Sequence, residues 1–126
     1  MAYTKKQMLG SYLAGLWEGD GHITIAKNGG KPAFHISFNI KDSPVAEKLL
    51  NYVVYSCNSN PGSIRYQKEK NACVLNIYSI EGLKYIIDLI NGKLKTPKAY
   101  QIDIIIDWLN TKQNAKIKKL PLCSLP

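Results

Sequence analysis

Arginine is almost missing from this chain. Arg65 is the only one among 17 basic residues, and the rest are lysine. Acids are also few, nine against those 17, which leaves a formal net charge of +8 and a pI near 9.4. A basic excess of this size points to a polyanionic partner, nucleic acid first and an anionic membrane surface second. Cysteine is sparse: Cys57, Cys73 and Cys123 are odd in number, widely spaced and without a Cys-x-x-Cys pair. That excludes a disulfide framework and a zinc site of the usual spacing, and it fits a reducing compartment. His22 and His35 are too few and too far apart to supply such a cluster. No apolar run approaches the roughly 20 residues needed to span a bilayer, so a membrane partner is not expected. The amino terminus lacks a signal-peptide core, because Lys5-Lys6 leads straight into an amphipathic segment. Little arginine beside much Ile, Asn, Lys and Tyr suggests an AT-rich coding genome such as an organellar one.

What is present is enough apolar residue, 45% of 126, for one domain with a modest core. A first helix is expected over about Thr4–Glu18, with Thr4 as cap and Gly19 and Gly21 as its stop. Two strands follow, residues 22–27 and 34–41, joined by the turn Asn28-Gly29-Gly30. The second alternates strictly, with Phe34, Ile36, Phe38 and Ile40 on one face. Ser43-Pro44 opens a second helix to about Cys57, with serine as cap. A second hairpin spans residues 63–68 and 72–78, then Ser79 caps a helix through Ile90. Pro97 starts a last helix to about Thr111, and residues 112–126 read as a basic tail, a linker or a frayed terminus. The chain thus divides into a domain over 1–111 and a tail over 112–126. The order predicts an α+β domain with a four-stranded antiparallel sheet and helices on one face.

The other face of that sheet would be open. It would carry His22, Thr24 and Asn28 from the first strand, and His35, Ser37, Asn39 and Lys41 from the second. Ser63, Arg65 and Gln67 come from the third strand, and Val74, Asn76 and Tyr78 from the fourth. Hydrogen-bonding side chains of this kind read base edges in the major groove, which admits a β-ribbon. Lysines would serve the phosphates. An ordinary solvated sheet face would have a similar composition.

The run Leu13-Ala14-Gly15-Leu16-Trp17-Glu18-Gly19-Asp20-Gly21 places two acids at the carboxyl end of the first helix. The macrodipole there is negative, so carboxylates are disfavoured unless a cation is near. Residues two apart point about 200° from each other on a helix, so Glu18 and Asp20 do not share a face. Ala14, Gly15 and Gly19 form a small-residue patch that would let a second copy of the helix approach about a two-fold axis. The two Asp20 carboxylates would then meet, and hard cations such as Mg²⁺ would offset their repulsion. Such a centre could hydrolyse phosphodiesters with water as nucleophile. The alternative is a small-residue helix crossing with surface acids.

The same nine residues resemble the motif that names the LAGLIDADG homing endonucleases, with Trp17 for an aliphatic residue, Glu18 for aspartate and Gly19 for alanine. Trp17 is large for its position and should point into the core. The expected order resembles the family's αββαββα fold with a saddle-shaped DNA-binding sheet, over the chain up to about Thr111. The resemblance implies a site-specific double-strand DNA endonuclease using Mg²⁺ or another divalent cation. It implies that Asp20 and the Gly19 carbonyl hold the metal and that Glu18 is structural. The segment Gly92-Lys93-Leu94-Lys95-Thr96-Pro97-Lys98 is similar to a family stretch that carries a basic residue, Lys95 here, to polarise water or offset phosphate charge. Asp42 matches a polar position that orders solvent, or else caps the next helix. One motif implies a homodimer, or the N-terminal half of a two-motif chain whose linker the tail resembles. The alternatives for this chain are an intron RNA maturase, which some family members resemble, or a non-catalytic sequence-specific DNA-binding module on the same fold; an intron-borne gene would imply an organelle.

Overall fold

The computed structural model describes residues 4–123. Its elements run α1 (Lys5–Asp20), β1 (Gly21–Ile25), β2 (Pro32–Asn39), α2 (Ser43–Cys57), β3 (Gly62–Gln67), β4 (Ala72–Ile77), α3 (Ile80–Ile90) and α4 (Tyr100–Lys112). The four strands form one antiparallel sheet in the order β1-β2-β4-β3. This is the expected α+β architecture.

α1 starts as its sequence predicts. The Thr4 hydroxyl accepts from the Gln7 amide at 3.0 Å, and the Gln7 side chain accepts from the Thr4 amide at 2.8 Å, a reciprocal cap. Its end is a correction. Gly19 lies inside the helix, which runs on to Asp20. The chain turns into β1 only at Gly21, whose amide donates to the Trp17 carbonyl. A Cβ at Gly21 would stand 2.1 Å from Trp17 Cδ1, so the indole itself demands glycine there.

β2 buries Phe34, Ile36 and Phe38 and leaves His35 and Ser37 half-buried on the opposite face. It ends at Asn39, two residues short of the expected strand, because residues 40–42 tighten into a 3₁₀ turn. α2 is therefore capped at Asp42 rather than Ser43, and Asp42 makes no side-chain capping bond. The last helix likewise begins late, since Pro97–Ala99 form a 3₁₀ turn before Tyr100. Ser79 caps α3 as expected, its hydroxyl accepting from Gly82 at 2.9 Å.

The core lies between the sheet and the helices. Trp17 is fully buried, as its size requires, and stacks on Phe34 at 6.1 Å with an 18° interplanar angle. The same core cluster holds Leu13, Ile36, Ile77, Leu83, Ile87 and Ile105, all buried. Each such side chain contributes roughly 1.5–3 kcal/mol. Every helix thus sits on one face, and the polar face of the sheet is left open.

The tail is not frayed over its described part. Asn110 pairs with the backbone of Ile117, donating to its carbonyl and accepting from its amide, both at 2.9 Å. Asn91 donates to the Lys118 carbonyl at 2.8 Å and accepts from Leu120 at 3.2 Å. The Cys123 amide donates to the Leu94 carbonyl at 2.7 Å. Residues 124–126 of the tail lie outside the described residues.

Candidate nucleic-acid interface and acidic helix end

The open face of the sheet holds a shallow groove of about 540 Å³. Of the residues expected to face it, His22, Thr24, His35, Ser37, Ser63, Arg65, Gln67, Asn76 and Tyr78 line it. Val74, 6% exposed, is its apolar floor. Three expected residues do not line it: Asn28 and Lys41 lie beyond the strand ends, and Asn39 is the last residue of β2. Asn28 sits in the β1–β2 turn at φ +64°. Asn39 ends β2 and accepts from the Lys41 amide at 3.0 Å, which places Lys41 in the following turn.

Hydrogen bonds order the groove floor. The His35 ring is held between Thr24 Oγ1, 2.7 Å from Nε2, and Asn76 Oδ1, 2.6 Å from Nδ1. His22 stacks on His35 with ring centroids 4.6 Å apart. Partial burial pushes the His22 imidazole below its ordinary value of 6.5, and His35 and Lys98 add to the effect.

The acidic end of α1 resolves into two different carboxylates. Glu18 faces inward to the loop before α4. Both its oxygens accept from the Lys95 amide at 3.0 Å, and one also accepts from the Thr96 amide at 2.7 Å and hydroxyl at 2.5 Å. Lys98 supplies the cation that a helix end of this sign wants. Its ammonium donates to the Trp17 and Glu18 carbonyls at 3.0 and 3.2 Å and lies 4.9 Å from the Trp17 ring centroid. Lys98 is a further site residue, at the end of the segment 92–98, where the sequence pattern points only to Lys95. Its position three residues after Lys95 in the same basic stretch is the signal the sequence offers.

The Asp20 carboxylate is exposed and makes no hydrogen bond or ion pair with the described residues, and the Gly19 carbonyl, among the last of the helix, has no partner among them either. Both are oxygen donors at the negative end of a helix, a set suited to a hard divalent cation. One chain offers too few for a closed site: no group of three His, Cys, Asp or Glu able to hold a metal exists among the described residues. Antiparallel pairing puts the start of β1, after Asp20, and the end of β2, before Asp42, at the same end of the sheet. Asp42 is exposed there.

The small-residue patch divides. Ala14 is 1% exposed and belongs to the core beside Leu13 and Trp17, so it is not available to a second copy. Its direction, about 100° round the helix from Gly15, turns it inward. Gly15 and Gly19 are exposed, and a Cβ at either would meet nothing within 4 Å.

An antiparallel sheet with one face bare, backed by a glycine-faced helix ending in an unpaired acid, defines an open-faced α+β class of protein. Residues 13–118 match the LAGLIDADG endonuclease family. The intron-encoded DNA endonuclease aI3 of Saccharomyces cerevisiae is 32% identical over 96 residues, covering 71% of this chain and 22% of that protein. An uncharacterized cox1 intron-2 37.2 kDa protein of Schizosaccharomyces pombe is 34% identical over 91 residues, covering 72% and 25%. The LAGLIDADG meganuclease I-CpaMI bound to uncleaved DNA superposes with a TM-score of 0.65 at 20% identity, covering 90% of this chain and 38% of that one. The chain belongs to the LAGLIDADG endonuclease family. It spans about a quarter of the length of the curated relatives it matches. No helix among the described residues is long and apolar enough to cross a membrane.

Proposed function

We propose that the protein is a site-specific double-strand DNA endonuclease that hydrolyses phosphodiester bonds with Mg²⁺. The observation that supports this most is the division of labour at the end of α1. Glu18 is spent on the Lys95–Thr96 backbone, while Asp20 stays exposed beside it in sequence. Asp20 and the Gly19 carbonyl are the groups that would hold the cation. Bound Mg²⁺ would supply Lewis acidity at the phosphate and would make an attacking water more acidic. Lys95, exposed and pinned by its own amide, would orient that water or offset phosphate charge. Asp42 would order solvent at the same end of the sheet.

The groove residues would read base edges and the lysines would contact phosphates. A single exposed Asp20 needs a partner helix, received on Gly15 and Gly19. That partner is a second copy in a homodimer or a C-terminal homologous domain in a pseudo-dimer. Similarity to intron-encoded relatives supports an intron reading frame and an organellar home.

The test is Asp20→Asn. It should still bind a target selected from a randomised duplex library but lose Mg²⁺-dependent cleavage by at least about 100-fold, the scale of losing one charge-stabilising group. Cleavage of supercoiled target at the parent's rate would overturn the reading.

A further inference from the structure

The hydrogen bonds on the groove floor have a readable direction. Asn76 Nδ2 donates to the Val74 carbonyl at 3.2 Å. This bond orients the amide, since the reverse orientation would set two oxygens against each other. Asn76 Oδ1 is therefore the atom 2.6 Å from His35 Nδ1. An amide oxygen only accepts, so His35 carries a proton on Nδ1. A neutral imidazole protonated there has a bare lone pair on Nε2. Thr24 Oγ1 lies 2.7 Å from that nitrogen, and its hydroxyl proton is the one that can fill the contact. Thr24 gives its proton inward and turns lone pairs toward the groove. The register supports the relay, with His35 paired to Asn76 on β4 and to His22 on β1. The His22 ring, stacked 4.6 Å away, confines the His35 ring in that plane.

We propose that Thr24 is a polarised specificity determinant whose oxygen acts only as an acceptor. It selects a base that presents a donor in the major groove, adenine through N6 or cytosine through N4, at one position of the half-site. The inference rests on the groove being a DNA interface. An unconstrained threonine hydroxyl either donates or accepts and discriminates little. Here the donor is already spent on His35. Guanine O6 and thymine O4 would face a second acceptor, and two acceptors facing each other stay unsatisfied.

Two measurements at pH 8, where an ordinary imidazole is neutral, test this. Nitrogen–proton correlation of the histidine rings in the protein alone should show His35 as the Nδ1–H tautomer. A binding profile over all four bases at each site position should show one position favouring adenine or cytosine by about tenfold. Thr24→Val should flatten that position alone, and Thr24→Ser should keep it. His35→Phe keeps an aromatic ring beside His22 but frees the hydroxyl, and should bring the four bases within a few-fold there. An Nε2–H tautomer, a profile unchanged in Thr24→Val, or selection of guanine or thymine by Thr24 would overturn the proposal. Absence of any duplex binding overturns the interface reading and the specificity together. Binding with a profile indifferent to Thr24 overturns the specificity alone.

Discussion

The Glu18 carboxylate grips the backbone of Lys95, 77 residues away in the chain, with both oxygens 3.0 Å from its amide nitrogen. An acid at a helix carboxyl end is repelled by the macrodipole, and here the loop amides and the Lys98 ammonium supply the opposing positive charge. Replacing Glu18 by alanine removes charge-assisted bonds that are partly open to water, a loss of roughly 1–2 kcal/mol. The melting temperature should fall by about 5 °C. Because Lys95 loses its anchor, cleavage should fall further than DNA binding does. Parallel calorimetry, binding and cleavage assays check this, and equal losses in all three would argue against the anchoring role.

Glycine substitutions should separate two kinds of glycine along α1 and at its junction with β1. A Cβ at Gly10 would stand 2.1 Å from the Leu89 carbonyl oxygen, and one at Gly21 would strike the Trp17 ring. Alanine at either should destabilise the fold by about 2 kcal/mol or more. Gly15 and Gly19 are helical and open, so alanine there should stabilise the isolated chain by about 0.5–1 kcal/mol. If these two seat a partner helix, Gly15→Val and Gly19→Val should weaken association while the chain itself melts no lower than Gly15→Ala by more than the valine propensity difference. Light-scattering mass and thermal melts read the two effects separately.

Much of the fold follows from local pattern. The alternation Phe34, Ile36, Phe38 sets which face of β2 is buried, and Thr4 with Gln7 starts α1. Element ends were less legible because long-range contacts decide them. Gly19 looks like a stop, yet the helix ends where the Trp17 ring leaves no room for a side chain. The polar row of the groove was legible from period-two spacing in each strand. Asn28 and Lys41 fall outside it because turns shorten the strands, and Asn39, the last residue of β2, spends its side chain on the Lys41 amide. Ala14 could not be told from Gly15 by size, only by which side of the helix the core occupies. The Glu18–Lys95 contact and the Asn91 and Asn110 clamps join distant segments, and no local spacing marks them.

The His22 ring should titrate below 6.5. Its burial, the neighbouring His35 and the Lys98 ammonium all disfavour the imidazolium. With the folded value depressed below the unfolded one, the unfolded chain binds more protons through this window. Stability from this group is therefore complete above the unfolded value near 6.5 and declines as pH falls through the folded value. Lys98→Met should move the NMR titration midpoint of His22 upward, toward the ordinary range. No movement would mean that burial and His35 alone set it.

The tail should behave as a strap. Asn110 and Asn91 each present a side-chain amide to extended backbone as a neighbouring strand would, at Ile117 and at Lys118 and Leu120. Lys119 adds an ion pair to Asp107 at 2.8 Å, which holds its ammonium pKa above the usual range, and Leu120 packs against Gly92. Asn110 is part-buried, so its alanine variant leaves the Ile117 amide poorly paired and should cost about 1–2 kcal/mol. Asn91→Ala, at a more exposed clamp, should cost less. The strap ends on the Leu94 carbonyl, one residue before Lys95. Loosening it should therefore raise hydrogen exchange at the Ile117 and Leu120 amides first, and then at Lys95 and Thr96, whose amides hang on Glu18. Exchange mass spectrometry of Asn110→Ala against the parent checks the order. A tail that exchanges like free peptide in the parent would remove the strap. Unchanged protection at Lys95 and Thr96 in the variant would confine its effect to the tail.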